Sequence, residues 1–202
     1  MVETRSVDVL GVLANASAVI AEGEVMQLTA SNNLATDEDL YLRVVASKTA
    51  ALFEAAARVG AMVAGRDARE CDALGAFGLN LGIAFQLVDD ALDYSGRQAK
   101  LGKTVGDDFR EGKVTLPVIL AFAQATDDDR AFWRRTIESG KQTDRDMPTA
   151  IALLERTGAL EETMTRARAY ARAAKDALND LPRNVYSRSL CDIADFCVDR
   201  AY

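Results

Sequence analysis

The chain has 202 residues, three prolines and a net charge of −7, and nearly half of its residues are apolar. That is enough for one large domain with a sizeable core, and the acidic balance without a basic stripe argues against nucleic acid as a partner. There is no histidine, which removes Ser–His and Cys–His nucleophile pairs, His-ligated zinc and the commonest general base. The three cysteines, Cys71, Cys191 and Cys197, form no C-x-x-C motif. They read as reduced core residues of a cytoplasmic protein. No apolar run approaches 18 residues, so no transmembrane segment is expected. Abundant alanine and short β-branched runs predict an all-α fold across residues 1–202.

In chain order, a first helix is predicted from Val7 to Ala30, with Val9, Val12, Leu13, Ala16, Ile20 and Leu28 as its apolar positions. Gly11, Ala14 and Ala18 are small enough to admit a close neighbour. Glu22, Glu24 and Gln27 read as a polar face. Ser31-Asn32-Asn33 breaks the helix. Thr36 is expected to cap a second helix running to about residue 64, with Asp39 completing a capping box. In its middle, Ser47-Lys48-Thr49-Ala50-Ala51-Leu52-Phe53 sets one lysine among apolar residues. A buried lysine needs an anion or it loses its charge. Two readings stay open: a phosphate ligand with Thr49 as a second donor, or a lysine reaching out to solvent.

A third helix is predicted to open near Arg66-Asp67, with its organising stretch from Leu74 to Gly96. Leu74, Phe77, Leu81, Phe85, Val88 and Leu92 recur at three- and four-residue steps. Gln86, Asp89, Asp90 and Asp93 fall on the opposite face, and Asp89 and Asp93 lie one turn apart, about 5–6 Å at Cβ. Like charges at that spacing repel, and acid in a last turn opposes the helix dipole. A hard divalent cation would relieve both penalties. Mg²⁺ takes one or two carboxylates and shares the rest with water and phosphates. A solvated acidic helix end is the other reading.

Gly96, Gly102, Gly106 and Gly112 then alternate with Lys100, Lys103, Asp107, Asp108, Arg110, Glu111 and Lys113. Such a loop suits a diphosphate, since lysines meet phosphate as point charges, but it equally suits a solvated surface. Helices follow from Thr115 to Gln124, after Asp127-Asp128-Asp129, and over 147–156, 159–178 and 185–200. The three acids at 127–129 read as a helix N-terminus. Glu155, Arg156, Glu161, Glu162, Arg166, Arg168 and Arg172 read as solvated faces.

The stretch Gly82-Ile83-Ala84-Phe85-Gln86-Leu87-Val88-Asp89-Asp90-Ala91-Leu92-Asp93-Tyr94 resembles the second aspartate-rich motif of the trans-polyprenyl diphosphate synthases. Leu101 to Asp108, Glu111 to Pro117, Glu22 to Leu28 and Ser47 to Phe53 resemble other blocks of that family, in order and correctly spaced. The resemblance covers the whole chain and is strongest to the long-chain type that makes quinone side chains. It implies an isoprenoid-synthase helical bundle around a central cavity, usually a homodimer, that adds isopentenyl diphosphate to an allylic diphosphate with Mg²⁺. It implies Asp89, Asp90 and Asp93 as metal ligands, and Lys48, Thr49, Gln86 and Lys103 as diphosphate ligands with Lys113 close behind. Asp89, Lys48 and Lys103 would assist the departing diphosphate.

Members of the family carry a first D-D-x-x-D motif before these blocks, and no second such motif occurs in the 202 residues. The resemblance therefore implies a C-terminal portion lacking the isopentenyl diphosphate site, with the N-terminal helices missing and the chain alone inactive. The alternative it leaves is a non-catalytic subunit of a heteromeric synthase.

Overall fold

The computed structural model describes residues 2–95 and 106–200, with helices and no strand among them. The first helix, α1, spans Val7–Ala30 as expected. Val9, Ala16, Gly23 and Ala30 are buried at seven-residue steps, which sets its inward face. The outward face keeps apolar residues exposed, Leu28 among them at 75%. Asn32 ends the helix in the left-handed region at φ 56°, which asparagine tolerates better than most residues.

The second long helix is three pieces: α2 (Glu38–Val45), a π-helical turn (Ala46–Ala50) and α3 (Ala51–Val63). Its cap is Asp37, not Thr36: the Asp37 carboxylate accepts the Leu40 N–H at 2.8 Å. Thr36 is buried, and its hydroxyl donates to the Ala30 carbonyl at 3.3 Å. Two Asx or hydroxyl candidates stood side by side, and the one whose hydroxyl was taken elsewhere lost.

Helix α4 spans Ala68–Asp93, opening six residues before Leu74 and closing at Asp93. Asp67 caps it through the Glu70 N–H at 2.8 Å. The acids of its last turn do not face solvent. Leu87 and Val88 are fully buried, and so, nearly, are Asp90 and Asp93 at 2% and 7% exposure. A helix apolar on most of its circumference belongs inside.

By length and composition, both α1 and α4 are apolar enough to cross a membrane. The absence of an 18-residue apolar run therefore does not exclude a spanning helix, because dispersed polar residues leave the average high. Just over half of the apolar window of α4 is buried within the chain, as in a core helix.

The chain forms two compact units. The first contains residues 1–25, 43–86 and 167–202. Its packing rests on small side chains, with Ala50, Ala55, Ala61, Ala84, Ala167, Ala171, Ala174 and Ala194 all buried. Gly78 and Gly82 bring α4 against α3: a Cβ would stand 2.4 Å from the Phe53 carbonyl oxygen at Gly78 and 2.6 Å from Ala50 Cα at Gly82. The last helices are α9 (Ala159–Ala177) and α10 (Val185–Asp199).

The second unit contains residues 26–42 and 87–166. It holds α5 (Asp107–Arg110), α6 (Leu116–Ala123), α7 (Asp127–Trp133) and α8 (Asp146–Arg156). Trp133, Phe109, Ile137, Leu154 and Tyr94 build a core of large side chains. Thr126 caps α7 in a capping box with Asp129, so the 127–129 acids serve a helix start.

Two arginines expected on solvated faces are in fact engaged. Arg166 pairs with Glu38 and Glu162, and Arg156 donates to Asp129. Arg156, then the Thr126 hydroxyl and N–H, hold the Asp129 carboxyl at about 2, below the unfolded value of about 3.9. A depressed carboxyl contributes stability above the unfolded pKa and loses it as pH falls towards the folded one. The urea midpoint should therefore drop between about pH 4 and pH 2, and Asp129→Asn should flatten that drop. An unchanged pH slope in the variant would assign the acid sensitivity elsewhere.

Candidate functional site

In the first unit, the sequence Ala46-Ser47-Lys48-Thr49-Ala50 forms the π turn, where the Ala51 N–H reaches back to the Ala46 carbonyl. Such single-turn bulges are rare and recur at functional sites. The wider turn is packed by α1, where Gly23 lies so near that a Cβ would stand 2.7 Å from the Lys48 nitrogen. Lys48 remains about one-third exposed, and its ammonium meets the Glu24 carboxylate at 3.1 Å. Both partners are wet, so the pair contributes little to stability. Glu24, read as part of a polar face, is thus the anion that lysine needed. The Thr49 hydroxyl donates to the Gln86 side-chain oxygen at 3.0 Å. Donors and acceptors from the π turn and α4 therefore meet in the first unit.

In the second unit, the three aspartates of α4 have three different fates. Asp89 is half-buried. Asp90 accepts a 2.5 Å hydrogen bond from the Tyr41 hydroxyl and is buried with it. Asp93 accepts the N–H groups of Asp107 and Asp108 at 3.2 and 3.0 Å, and so holds the start of α5. Burial and the nearby Asp108 charge raise the Asp93 carboxyl to about 6, although those two N–H bonds work the other way. Lys113 donates to Asp108 at 2.9 Å and pairs with Glu111 at 2.7 Å. Burial opposes its charge, but hydrogen bonds to Glu111 and Asp108 outweigh it and raise the ammonium pKa. The Tyr94 and Thr115 hydroxyls are buried beside these acids. Lys103 lies outside the described residues.

Among the described residues, no three acids, cysteines or histidines converge as a closed metal cage. The donor set nevertheless fits a hard cation of the magnesium kind, which needs one or two carboxylates and takes its remaining ligands from water and phosphate. Burial first, and the neighbouring Asp108 charge second, disfavour the ionised Asp93 carboxylate, and a bound cation would offset both. Asp89 is the most accessible of the three aspartates. Asp90 is committed to Tyr41, and Asp93 to two amides. Sequence reasoning missed Tyr41, because nothing in a helix-face pattern marks a phenol 49 residues away as a carboxylate's partner.

The elements of the described residues are all helical, and their superposition on solved prenyl synthases gives the chain the isoprenoid-synthase fold. The chain belongs to the polyprenyl synthetase family, whose pattern matches residues 1–154. It is 42% identical over 200 residues to the octaprenyl diphosphate synthases of Haemophilus influenzae and Escherichia coli, 99% of this chain and 60% and 62% of theirs. A crystal structure of decaprenyl diphosphate synthase from Rhodobacter capsulatus superposes with a TM-score of 0.93 at 51% identity. It covers all of this chain and 62% of its own. A polyprenyl synthase from Caulobacter crescentus complexed with calcium and isoprenyl diphosphate gives 0.96 at 48% identity, with coverage of 100% and 62%. The chain thus spans about three-fifths of the length of these relatives.

Removing the Tyr41 hydroxyl leaves the Asp90 oxygen that accepted it without that donor. Tyr41→Phe should lower the unfolding free energy by about 1–3 kcal/mol, the cost of stranding a buried polar group. Equal urea midpoints for the two proteins would remove Tyr41 from that role.

Proposed function

We propose that these 202 residues bind the allylic diphosphate of a long-chain trans-prenyltransferase and hold its divalent cation. The observation that carries this is the π turn, which presents Lys48 and Thr49 beside Gln86. Lys48 exchanges Glu24 for a phosphate oxygen, a stronger anion for an ammonium only about one-third exposed. Thr49 and Gln86 hold each other's side chains ready for the diphosphate. We assign Asp89 as the main metal ligand, with Asp93 joining when it gives up an amide bond. Asp90 keeps a supporting role with Tyr41. We keep Lys103 as a second diphosphate ligand, and Lys113 as a charge that Asp108 and Glu111 orient. Magnesium, when bound, supplies Lewis-acid neutralisation of the leaving diphosphate.

In the full reaction, the allylic C–O bond breaks and its electron pair leaves with the diphosphate. The double bond of isopentenyl diphosphate forms the new C–C bond, and the diphosphate leaving group takes up the proton that is lost. Lys48 stabilises the charge that grows on the leaving group. No histidine base is needed. With one D-D-x-x-D motif in the 202 residues, this chain binds diphosphate without completing the transfer.

Titration calorimetry should show magnesium-dependent binding of inorganic pyrophosphate. Lys48→Ala should weaken it about tenfold, on the scale of one charge-assisted hydrogen bond. Asp89→Asn should remove the dependence on magnesium. Absence of magnesium-dependent uptake would overturn the assignment, and prenyl product from the purified chain with both substrates would overturn the half-reaction.

The partner is a second copy of the chain. On α1, Val7, Ala14, Ala21 and Leu28 recur every seven residues on the exposed side, with Ala18 and Val25 between them. Val7, Val25 and Leu28 are 81%, 62% and 75% exposed. A heptad stripe with small residues at its centre suits a close pairing of two helices. Val25→Glu should convert a dimer to a monomer in sedimentation equilibrium. A wild-type chain that sediments as a monomer at micromolar concentration would refute the pairing.

A further inference from the structure

Arg200 lies at the C-cap of α10, beyond the residues that the family pattern matches. Its guanidinium makes three contacts at once. Nε donates to the Cys197 carbonyl at 3.2 Å, one of the carbonyls that a helix end leaves without a partner. A terminal nitrogen donates to the Phe85 carbonyl of α4 at 2.9 Å. The guanidinium plane also sits over the Phe85 ring, 4.1 Å from its centroid. The same ring also meets Phe53 in a tilted pair, with centroids 5.5 Å apart.

Phe85 directly precedes Gln86, and Phe53 stands four residues after Thr49. Consecutive residues of α4 thus touch positions 53 and 49 of the neighbouring segment, the first by ring contact and the second by hydrogen bond. Where α4 meets that segment, Gly82 leaves no slack: a Cβ there would press on Ala50 and on Phe53 Cβ. Arg200 thus grips Phe85 by both backbone and ring.

We propose that Arg200 is a positioning residue for diphosphate binding. It clamps Phe85 by backbone and ring, where that ring also meets Phe53, and so fixes the direction in which Gln86 meets Thr49. A lysine cannot replace it, because the contact needs a planar cation that stacks and donates in two directions. This rests on the assignment of Lys48, Thr49 and Gln86 to the diphosphate.

The test is a double-mutant cycle on the full 202-residue chain, read as pyrophosphate affinity in magnesium by calorimetry. Arg200→Ala should weaken binding about tenfold, as expected for a stacked, charge-assisted contact. Arg200→Lys, which keeps the charge, should weaken it to a similar degree. In a Gln86→Ala background, Arg200→Ala should cost little more, because residues that act through one another are not additive. Additive losses, or wild-type affinity in both Arg200 variants while Lys48→Ala weakens binding, would overturn the clamp. Undiminished affinity in both Lys48→Ala and Gln86→Ala would overturn the diphosphate assignment itself, and the clamp with it. A urea midpoint for Arg200→Lys confirms that the protein measured is folded.

Discussion

The first unit depends on how closely α4 approaches the π turn and α3. Gly78 and Gly82 have no room for even one added carbon. That approach decides which side chains meet across the contact. Ala50 is sealed, Phe85 reaches Phe53, and Gln86 reaches the Thr49 hydroxyl. An ordinary helix–helix spacing of 8–10 Å with larger residues would hold Gln86 and Thr49 too far apart. The π turn is the complementary device. Its extra residue shifts the phase of the helix, so that Lys48 and Thr49 point where an uninterrupted α-helix would not send them.

The acid end of α4 obeys a different constraint. Burying carboxylates is costly unless donors meet them. Tyr41 meets Asp90, and the first amides of α5 meet Asp93. These bonds also fix local structure, since Asp93 anchors a four-residue helix too short to persist alone. Asp89 stays half-buried. A motif that reads as three equivalent acids is therefore one accessible carboxylate and two that organise its surroundings. The burial that raises the Asp93 carboxyl is the structural cost of that arrangement.

Much of this was legible in the residues. Helical period marked α1 to the residue and placed α6, α8, α9 and α10 within one or two positions. The family resemblance named Thr49 and Gln86 together, and the two side chains do meet. Four features were not legible. The π turn has no composition of its own, so residues 36–64 looked like one helix. The cap at Asp37 depended on where the Thr36 hydroxyl would go. The partners of Lys48 and Asp90, namely Glu24 and Tyr41, are 24 and 49 residues distant, and no periodicity within one helix reports on such pairs. Burial of Asp90 and Asp93 was hidden for the same reason: a polar stripe shows which residues share a face, not what covers that face.

The chain carries a single tryptophan, Trp133, fully buried in the large-side-chain core of the second unit. The alanine-built first unit contains none. Intrinsic indole emission is consequently a local gauge, responding to solvent entry around Phe109 and Phe132 and blind to the π turn. Far-ultraviolet dichroism, by contrast, sums helix from the whole chain. Overlaying the two melting curves separates one cooperative transition from two without any added label.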